Sequence, residues 1–557
     1  MFPLPKLFKY IIQVLTGLFI VIQIIGYAQA QEINYFSEIT FSKYDTLRGS
    51  LNTRRTCYDV HFYDLNIRVN PESKTIKGSN TVHYEVESKF RIFQVDLFAN
   101  MKIDSITANG SKLNYKRDSN VILPRFPDVQ EKGGKGKITV YYRGKPKEAE
   151  NPPWDGGFVW ENDEKGRPWI GVACEGIGAS LWWPNKDHLS EEPDSMKISC
   201  EVPKDLTCVS NGRLTNITKL PDGYQRYSWF VSYPINNYNV TLNIGHYTHF
   251  EDQYVNENDT LELDYYVLDY NQSKARDHFL QVPEMLECFE EYFGPYPFPK
   301  DGYGLVETPY WGMEHQGAIA YGNNYENNEL GFDYIIIHES AHEWWGNSIS
   351  THDHGALWIH ESFTTYAEAL FVECKHDYST AIKYLKSQKP RIQNIEPILG
   401  PLGVNFNSFQ SSDMYYKGSW MLHTLRNTIN DDEQWFHILR SLNRKFSNDI
   451  VTTQTITAFI NDRTSIELSN FFKQYLRHPK PPKFQYRLIE KGNRVMIKYR
   501  WVTNTVAYKM PISIKAGKKG KKRLRPTQQW QTQDLGSINK DNIKVATDKF
   551  YVIPQEK

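Results

Sequence analysis

Apolar and polar residues alternate along much of the first part of the chain, from about Thr53 to Gly245. Turn signals such as Ala-Asn-Gly at 108–110 and Ser-Asn-Gly at 210–212 separate the alternating runs. The clearest runs are VHFYDLNIRV (60–69), TVHYEV (81–86), KITVYYRG (137–144), MKISCEVP (196–203) and YNVTLNIG (238–245). This alternation is typical of half-buried strands, so we expect an all-β domain of about 200 residues.

From Ser273 to Phe293 the apolar residues recur every three or four positions, which predicts an amphipathic helix. Pro283 lies inside this stretch, so we expect a kink or a break there. Other stretches predict helices at 356–375, 431–446, 453–461 and 467–477, with Thr452 or Thr453 as the cap of the third. After a proline-rich linker at 478–482, alternation returns in a β-domain of about 75 residues. The pattern predicts a multidomain α+β protein.

The stretch FDYIIIHESAHEWWGN (332–347) carries the strongest chemical signal. It contains no Pro or Gly before Gly346, so its first part is predicted to be helical. Residues four apart share a helix face, which places the imidazoles of His338 and His342 side by side. Glu361 follows on the predicted helix 356–375. Two imidazoles and one carboxylate leave a fourth position open for water, which suits a catalytic zinc ion better than a structural one.

Two further acids have predicted roles beside this zinc ion. Glu339 lies about 100° around the helix from His338, too far to be the natural third ligand, and we expect it to act as a general base toward water. Glu368 shares a helix face with Glu361, where it is expected to orient a metal ligand. The competing interpretation is two surface histidines on an ordinary amphipathic helix.

The runs HESAHEWWGN (338–347) and LWIHESFTTYAE (357–368) together resemble the M1 family of zinc aminopeptidases, the gluzincins. The resemblance implies one zinc ion per chain and a short form of the family that lacks its carboxy-terminal helical domain. It implies three domains after a leader: an amino-terminal β saddle at 31–270, a thermolysin-like and mostly helical catalytic domain at 271–480, and a small β-sandwich at 483–557.

The same resemblance implies how a substrate is held. The run WGMEHQG (311–317) is similar to the family's Gly-x-Met-Glu-Asn motif, in which the glutamate binds the amino group of a peptide. Glu314 takes that role here, with Gly312 and Met313 beside the substrate, while His315 replaces the asparagine. A free amino group is cationic near neutral pH, so carboxylates around it supply both charge and hydrogen-bond acceptors.

Two more residues are carried over from the family. Glu175 holds the position of a second acid that reaches the site from the saddle. Tyr415, in the run YYKG (415–418), matches a tyrosine whose hydroxyl faces the oxyanion. Tyr416 is its neighbour on a predicted helix and is expected to face elsewhere.

The composition does not favour a nucleic-acid partner, because the 557-residue chain carries 65 basic and 65 acidic residues. The basic run 515–525 is interpreted as a solvated hairpin turn, with a polyanion or membrane site as the alternative. Six cysteines without CxxC spacing make a thiolate metal site unexpected. Cys200 and Cys208 flank a predicted hairpin turn and either form a disulfide or stay as buried thiols.

Residues 1–30 predict a cleaved signal peptide. Lys6 and Lys9 precede an apolar run, and the small residues Ala28 and Ala30 mark a cleavage site. The protein is then exported, periplasmic or secreted, without stable membrane insertion. A retained membrane anchor is the alternative, for which an apolar run of about 17 residues is short.

These features predict an exported zinc aminopeptidase that acts on peptides with a free amino terminus. Three alternatives stay open: a zinc endopeptidase, which needs no amine anchor; an epoxide hydrolase on the same fold; and an inactive exported peptide-binding protein. The preferred first residue, the physiological substrate and the oligomeric state do not follow from the sequence.

Overall fold

A computed structural model describes residues 35–256, 260–517 and 520–557 of the chain. It divides into two compact units, with the boundary between Thr40 and Phe41, and the helices and strands below belong to Phe41–Lys557. The predicted signal peptide at 1–30 lies outside the described residues. Among the described residues, no helix is both long and apolar enough to cross a membrane.

Strands dominate the amino-terminal region, after the short helix α1 (Lys43–Gly49). In chain order they are β1 (Tyr58–Asn70), β2 (Thr75–Val86), β3 (Phe90–Ile92), β4 (Val95–Asp96), β5 (Met101–Ala108), β6 (Ser111–Lys112), β7 (Asn114–Asp118), β8 (Val121–Gln130), β9 (Lys135–Gly144), β10 (Gly157–Asn162), β11 (Pro168–Ala173), β12 (Ser195–Pro203), β13 (Thr207–Val209), β14 (Arg213–Lys219), β15 (Tyr224–Val231) and β16 (Asn243–Gly245). Within the described residues, the largest sheet has the order β14-β15-β12-β1-β2-β9-β5-β6, and β10-β11-β16-β13 form another. Along β1 the buried Tyr63, Leu65 and Ile67 alternate with half-exposed residues, as predicted for one buried sheet face.

A mixed sheet forms the start of the middle region. Its strands are β17 (Tyr247–Val255), β18 (Thr260–Leu268), β19 (Tyr303–Glu307), β20 (Gly312–Met313) and β21 (Ile319–Tyr321). The order is β17-β18-β19-β21-β20, so β20 is an edge strand of this sheet as far as the described residues go. This edge matters for the site, because Gly312 and Met313 lie on it.

Helices make up the rest of the middle region. They are α2 (Gln272–His278), α3 (Gln281–Phe293), α4 (Tyr334–Ala341), α5 (Trp358–Lys375), α6 (Tyr378–Gln388), α7 (Asp413–Ile429), α8 (Asp432–Phe446), α9 (Thr453–Asp462) and α10 (Ser469–Arg477). A small parallel pair joins β22 (Ile349–Thr351) to β23 (Asp449–Val451). The predicted threonine cap is confirmed, since the Thr452 side chain accepts a hydrogen bond from the Thr455 N–H at the start of α9.

The carboxy-terminal region returns to strands: β24 (Lys483–Lys491), β25 (Arg494–Val502), β26 (Ile512–Ala516), β27 (Gly520–Leu524), β28 (Gln531–Gly536), β29 (Ile543–Val545) and β30 (Ile553–Glu556). In the part of the chain that is described, they form sheets of order β28-β25-β24-β30 and β27-β26-β29. Trp501 of β25 belongs to the same apolar core as Trp420 of α7 and Tyr475 of α10. The chain is therefore multidomain, with a β-rich start, a helical middle and a β-rich end, as the pattern predicts.

The helix predicted from Ser273 to Phe293 is broken, as expected, but the break precedes the proline. It lies at Phe279 and Leu280, between α2 and α3. Pro283 occupies the first turn of α3, where the missing N–H costs no intrahelical hydrogen bond. The strand predicted for the run YNVTLNIG (238–245) is wrong for its first part. Asn237–Asn239 form a 3₁₀ turn capped by the Asn236 side chain, and only Asn243–Gly245 are strand.

Of the two options considered for Cys200 and Cys208, buried thiols are confirmed and a disulfide is not. Both residues are free and buried. They lie on β12 and β13, which belong to different sheets, so the segment between them is not a hairpin turn. A disulfide instead joins Cys288 of α3 to Cys374 of α5, across a sequence separation of 86 residues.

Candidate metal centre and active site

Two helices bring the predicted metal ligands together. The Asp333 side chain caps α4 by accepting a hydrogen bond from the Ile335 N–H. His338 lies in the last turn of α4, and His342 is the residue that caps its end. Glu361 lies in the first turn of α5. The helix stops earlier than the absence of Gly and Pro before Gly346 suggested.

Wide turns replace the last predicted turn of α4. The Asn347 N–H donates to the His342 carbonyl at 3.0 Å, and the Ser348 N–H donates to the Glu343 carbonyl at 3.0 Å. These bonds span five residues and not four, so the backbone leaves the α-helical path. Tertiary packing favours this path, because the Trp345 ring stacks on Phe363 of α5 with 4.3 Å between ring centroids.

The three predicted ligands form a set with the dimensions of a zinc site. The Nε2 atoms of His338 and His342 each lie 3.7 Å from Oε2 of Glu361. Ligand atoms about 2.1 Å from a tetrahedral zinc ion are about 3.4 Å apart, so a small contraction would complete the coordination. Oε2 of Glu361 is buried and has no hydrogen-bond partner among the described residues. A buried carboxylate oxygen without a partner is costly, and a cation between the three side chains removes that cost.

The other ring nitrogens of both histidines are held by acceptors. Nδ1 of His338 lies 2.8 Å from Oε1 of Glu368, and Nδ1 of His342 lies 2.9 Å from the Trp345 carbonyl oxygen. A carboxylate and a carbonyl only accept, so both Nδ1 atoms carry the proton in these bonds. The Nε2 atoms are then left with lone pairs directed at the ligand set, which is the form that binds a metal.

Glu339 lies against the edge strand β20. A Cβ atom added to Gly312 would come within 2.6 Å of Oε1 of Glu339 and 2.9 Å of Cγ2 of Ile335, so a side chain here would displace the carboxylate. Burial raises the pKa of Glu339 to about 8. A dication bound to the neighbouring ligands would favour the ionised form of this carboxylate.

Two more carboxylates, Glu314 and Glu175, line the site beside the ligand set. Oε1 of Glu314 accepts a hydrogen bond of 2.9 Å from the Tyr238 hydroxyl. Oε1 of Glu175, in the turn after β11, is buried and without a hydrogen-bond partner in the described chain. Burial, followed by repulsion from Glu314, raises the pKa of Glu175 well above its usual value. A cationic ligand group between the two carboxylates would relieve this repulsion.

The two adjacent tyrosines of α7 point to different partners. The Tyr415 ring stacks on His338 with 6.3 Å between centroids. Burial, followed by the charges of Glu361 and Glu175, raises the pKa of Tyr415 well above its usual value, so its hydroxyl stays protonated and able to donate. The Tyr416 hydroxyl instead accepts a 2.5 Å hydrogen bond from Arg391.

Sequence reasoning missed Tyr238, and it included Asn347 only as part of the run HESAHEWWGN (338–347), without a role. Besides the contact of Tyr238 with Glu314, the Asn347 amide donates to the Glu314 carbonyl at 2.9 Å. The signal for Asn347 was present in WGN (345–347), directly after the histidine pair. Tyr238 had no comparable signal, because its run was interpreted as a strand. Met313 is buried on β20, and the buried His315 ring has no hydrogen-bond partner within the described residues.

A comparison with protein-family models extends these observations. Residues 279–475 match the peptidase family M1 domain. This part of the chain is therefore similar to an M1 peptidase domain. The matched region contains the ligand set together with Glu314, Glu339 and Tyr415, whereas Glu175 lies outside it in the β-rich region.

Two relatives show how far the similarity of this chain to known proteins extends. It is 23% identical over 478 residues to aminopeptidase N of Lactobacillus helveticus, covering 79% of this chain and 53% of that protein. It is 28% identical over 170 residues to endoplasmic reticulum aminopeptidase 1 of Mus musculus, covering 27% of this chain and 18% of that protein. The alignments thus span about half the length of these relatives, or less.

Solved structures share the fold. An M1 zinc metallopeptidase from Deinococcus radiodurans is similar, with a TM-score of 0.66 at 20% identity, and the match covers 76% of this chain and 94% of that chain. A mutant two-domain M1 zinc metallopeptidase bound to L-tryptophan has a TM-score of 0.66 at 19% identity, covering 76% and 95%. Similarity at this identity shows the architecture, and the chemistry has to be argued from the residues themselves.

Proposed function

We propose that this protein is a zinc-dependent aminopeptidase that removes the first residue of peptides with a free amino terminus. One observation carries the proposal: the ligand set of His338, His342 and Glu361 lies beside two buried acids, Glu314 and Glu175. The first group suits a catalytic metal, and the second suits a positive charge. A peptide amino terminus next to its first peptide bond requires both groups at once.

The residues fit a zinc ion by atom type and by spacing. His338, His342 and Glu361 would hold it, and Glu368 would keep His338 in the metal-binding tautomer. A bound zinc ion would polarise the scissile carbonyl group and lower the pKa of the attacking water. The protein's own side chains carry out the proton transfers, the hydrogen bonding and the substrate binding.

The proton transfers are assigned to Glu339. As water attacks the carbonyl carbon, Glu339 accepts one of its protons, and it then delivers that proton to the nitrogen of the leaving peptide. The Tyr415 hydroxyl donates a hydrogen bond to the carbonyl oxygen while negative charge grows there. A donor held in place in this way lowers the barrier by about 3–4 kcal/mol.

Exopeptidase action follows from the amine anchor. The carboxylates of Glu314 and Glu175 pair with the cationic amino group and so limit how far a peptide enters. The Tyr238 hydroxyl holds Glu314 in place. An acylated amino terminus carries no positive charge, so it does not pair with these carboxylates. Its added acyl group would also overlap the space between Glu314 and Glu175. An endopeptidase needs no such pair.

We also propose the finer architecture that the M1 resemblance implies. The β-rich region at 31–270 is a saddle that supplies Glu175, the region at 271–480 is a thermolysin-like catalytic domain, and the region at 483–557 is a small β-sandwich. Residues 1–30 direct export. Similarity to a two-domain M1 zinc metallopeptidase over 76% of this chain supports this architecture.

The function is tested with paired substrates. Purified protein should hydrolyse alanine p-nitroanilide and trialanine, and acetylation of the amino group should remove activity on both. A chelator should abolish hydrolysis, and added zinc should restore it. Equal turnover of free and acetylated peptides would exclude the aminopeptidase assignment and favour an endopeptidase. Hydrolysis that survives exhaustive chelation would exclude the metalloenzyme assignment.

A further inference from the structure

Two large aromatic side chains lie exposed next to the proposed active site. Trp154, in the turn that precedes β10, is 63% exposed, and Trp311, directly before β20, is 44% exposed. Their ring centroids are 6.3 Å apart. Large exposed aromatic groups in contact with each other often mark binding surfaces, because their apolar area stays in water until a ligand covers it.

The pair continues inward as a row of rings. Trp311 stacks on Tyr334 at 5.6 Å, and Tyr334 stacks on the metal-ligand candidate His338 at 5.3 Å, each with an interplanar angle of 27°. The Trp311 indole N–H donates to Oδ1 of Asn323 at 3.0 Å, which fixes the orientation of this ring. The exposed tryptophans are therefore joined to the proposed catalytic centre by direct contacts and are not an isolated patch.

The edge strand β20 indicates which part of a peptide reaches these rings. Its outer edge has no strand partner within the described chain, so an extended peptide can lie along it. Glu314, which anchors the amino group, is three residues after Trp311, with the two residues of β20 between them. Gly312 lies against the proposed base Glu339, which marks the position of the scissile bond. A peptide that extends from Glu314 past Gly312 brings its second and third residues to Trp311.

We propose that Trp154 and Trp311 form a platform that binds an aromatic side chain at the second or third residue of a peptide substrate. The inference rests on the proposed aminopeptidase function and adds a substrate class to it. Stacking on one exposed ring is worth about 2- to 10-fold in affinity. Peptides with phenylalanine at the favoured position should exceed their alanine counterparts in kcat/KM by about that factor.

The test compares three peptides within each variant: Ala-Ala-Ala, Ala-Phe-Ala and Ala-Ala-Phe. The readout is the ratio of kcat/KM for each phenylalanine peptide to that for trialanine, so a lower fraction of active protein cancels. We expect a ratio of about 2 to 10 for one or both phenylalanine peptides in the wild type, and a ratio near 1 in Trp154→Ala and Trp311→Ala. Trp154→Phe keeps an aromatic ring and should retain most of the preference.

Tyr115→Ala is the matched control, since Tyr115 is an aromatic side chain on β7 with 40% exposure and no place in the platform. Its ratios should equal those of the wild type. Ratios near 1 in the wild type, or a preference that persists in both tryptophan-to-alanine variants, would overturn the platform while leaving the aminopeptidase function intact. If none of the peptides nor alanine p-nitroanilide is hydrolysed, the proposed function fails and the platform fails with it.

Discussion

Glu368→Gln is the change that most sharply tests how the metal ligands are oriented. The Glu368 carboxylate is fully buried and accepts three hydrogen bonds. Oε1 receives one from Nδ1 of His338 at 2.8 Å, and Oε2 receives two, from the Tyr384 hydroxyl at 2.6 Å and from the Gln388 amide at 3.0 Å. Glutamine has the same shape but replaces one accepting oxygen with an NH₂ donor.

Either orientation of the new amide weakens the hold on His338. If the NH₂ group faces His338, it favours the tautomer with the proton on Nε2, and the lone pair that binds the metal is lost. If the NH₂ group faces the other side, the Tyr384 hydroxyl and a flipped Gln388 amide can accept from it, but the neutral amide oxygen is then a weaker acceptor for His338 than the carboxylate. Changes to such ligand-orienting groups lower metal affinity by about 10- to 100-fold, which is about 1.4–2.7 kcal/mol.

The assay is zinc competition against a chromophoric chelator at fixed pH. Glu368→Gln should raise the zinc Kd by about 10- to 100-fold. Tyr384→Phe is the matched control, because it removes one donor and preserves both the carboxylate and its contact with His338, so its effect should stay below about 10-fold. A zinc Kd for Glu368→Gln within about twofold of the wild-type value, in a variant that folds normally, would refute the orienting role.

Three more predictions concern the base, the amine anchor and the disulfide. Glu339→Gln should bind zinc normally and lose turnover, and retention of more than about a tenth of wild-type kcat would refute the assignment of the base. Glu314→Ala should raise KM for aminoacyl anilides without changing zinc content, whereas an unchanged KM would contradict its contact with the amine. Replacing Cys288 and Cys374 by serine opens a loop with a sequence separation of 86 residues. Urea unfolding should then show a loss of about 4–5 kcal/mol, and a loss below about 1 kcal/mol would mean that the disulfide is absent or inconsequential.

The ligand set was predictable from the sequence because helix geometry is local. The four-residue spacing of His338 and His342 places both on one helix face. To predict Glu361 as the third ligand, only one further helix had to be identified. The end of α4 was not predictable, because it depends on the contact of Trp345 with Phe363, which are distant in sequence. Sequence patterns predict the interior of a helix well. They predict its last residue poorly wherever tertiary packing determines where the helix ends.

Long-range pairings account for the other differences. The Cys288–Cys374 disulfide joins two helices, and sequence spacing alone does not determine which cysteines meet. Tyr238 reaches Glu314 from a 3₁₀ turn whose apolar alternation resembles a strand. Pro283 correctly signals a break in the helix. Because proline is tolerated in the first turn of a helix, the break lies three to four residues before it.

The central claim is that His338, His342 and Glu361 bind one zinc ion per chain, and metal analysis of purified protein tests it most directly. We predict close to one zinc ion per wild-type chain and less than about a tenth of that in His342→Ala after brief exposure to a weak chelator. The exposed residue His376 supplies the matched control, since His376→Ala should keep its zinc. A wild-type chain without stoichiometric zinc, or a His342→Ala variant that retains it, would contradict the account.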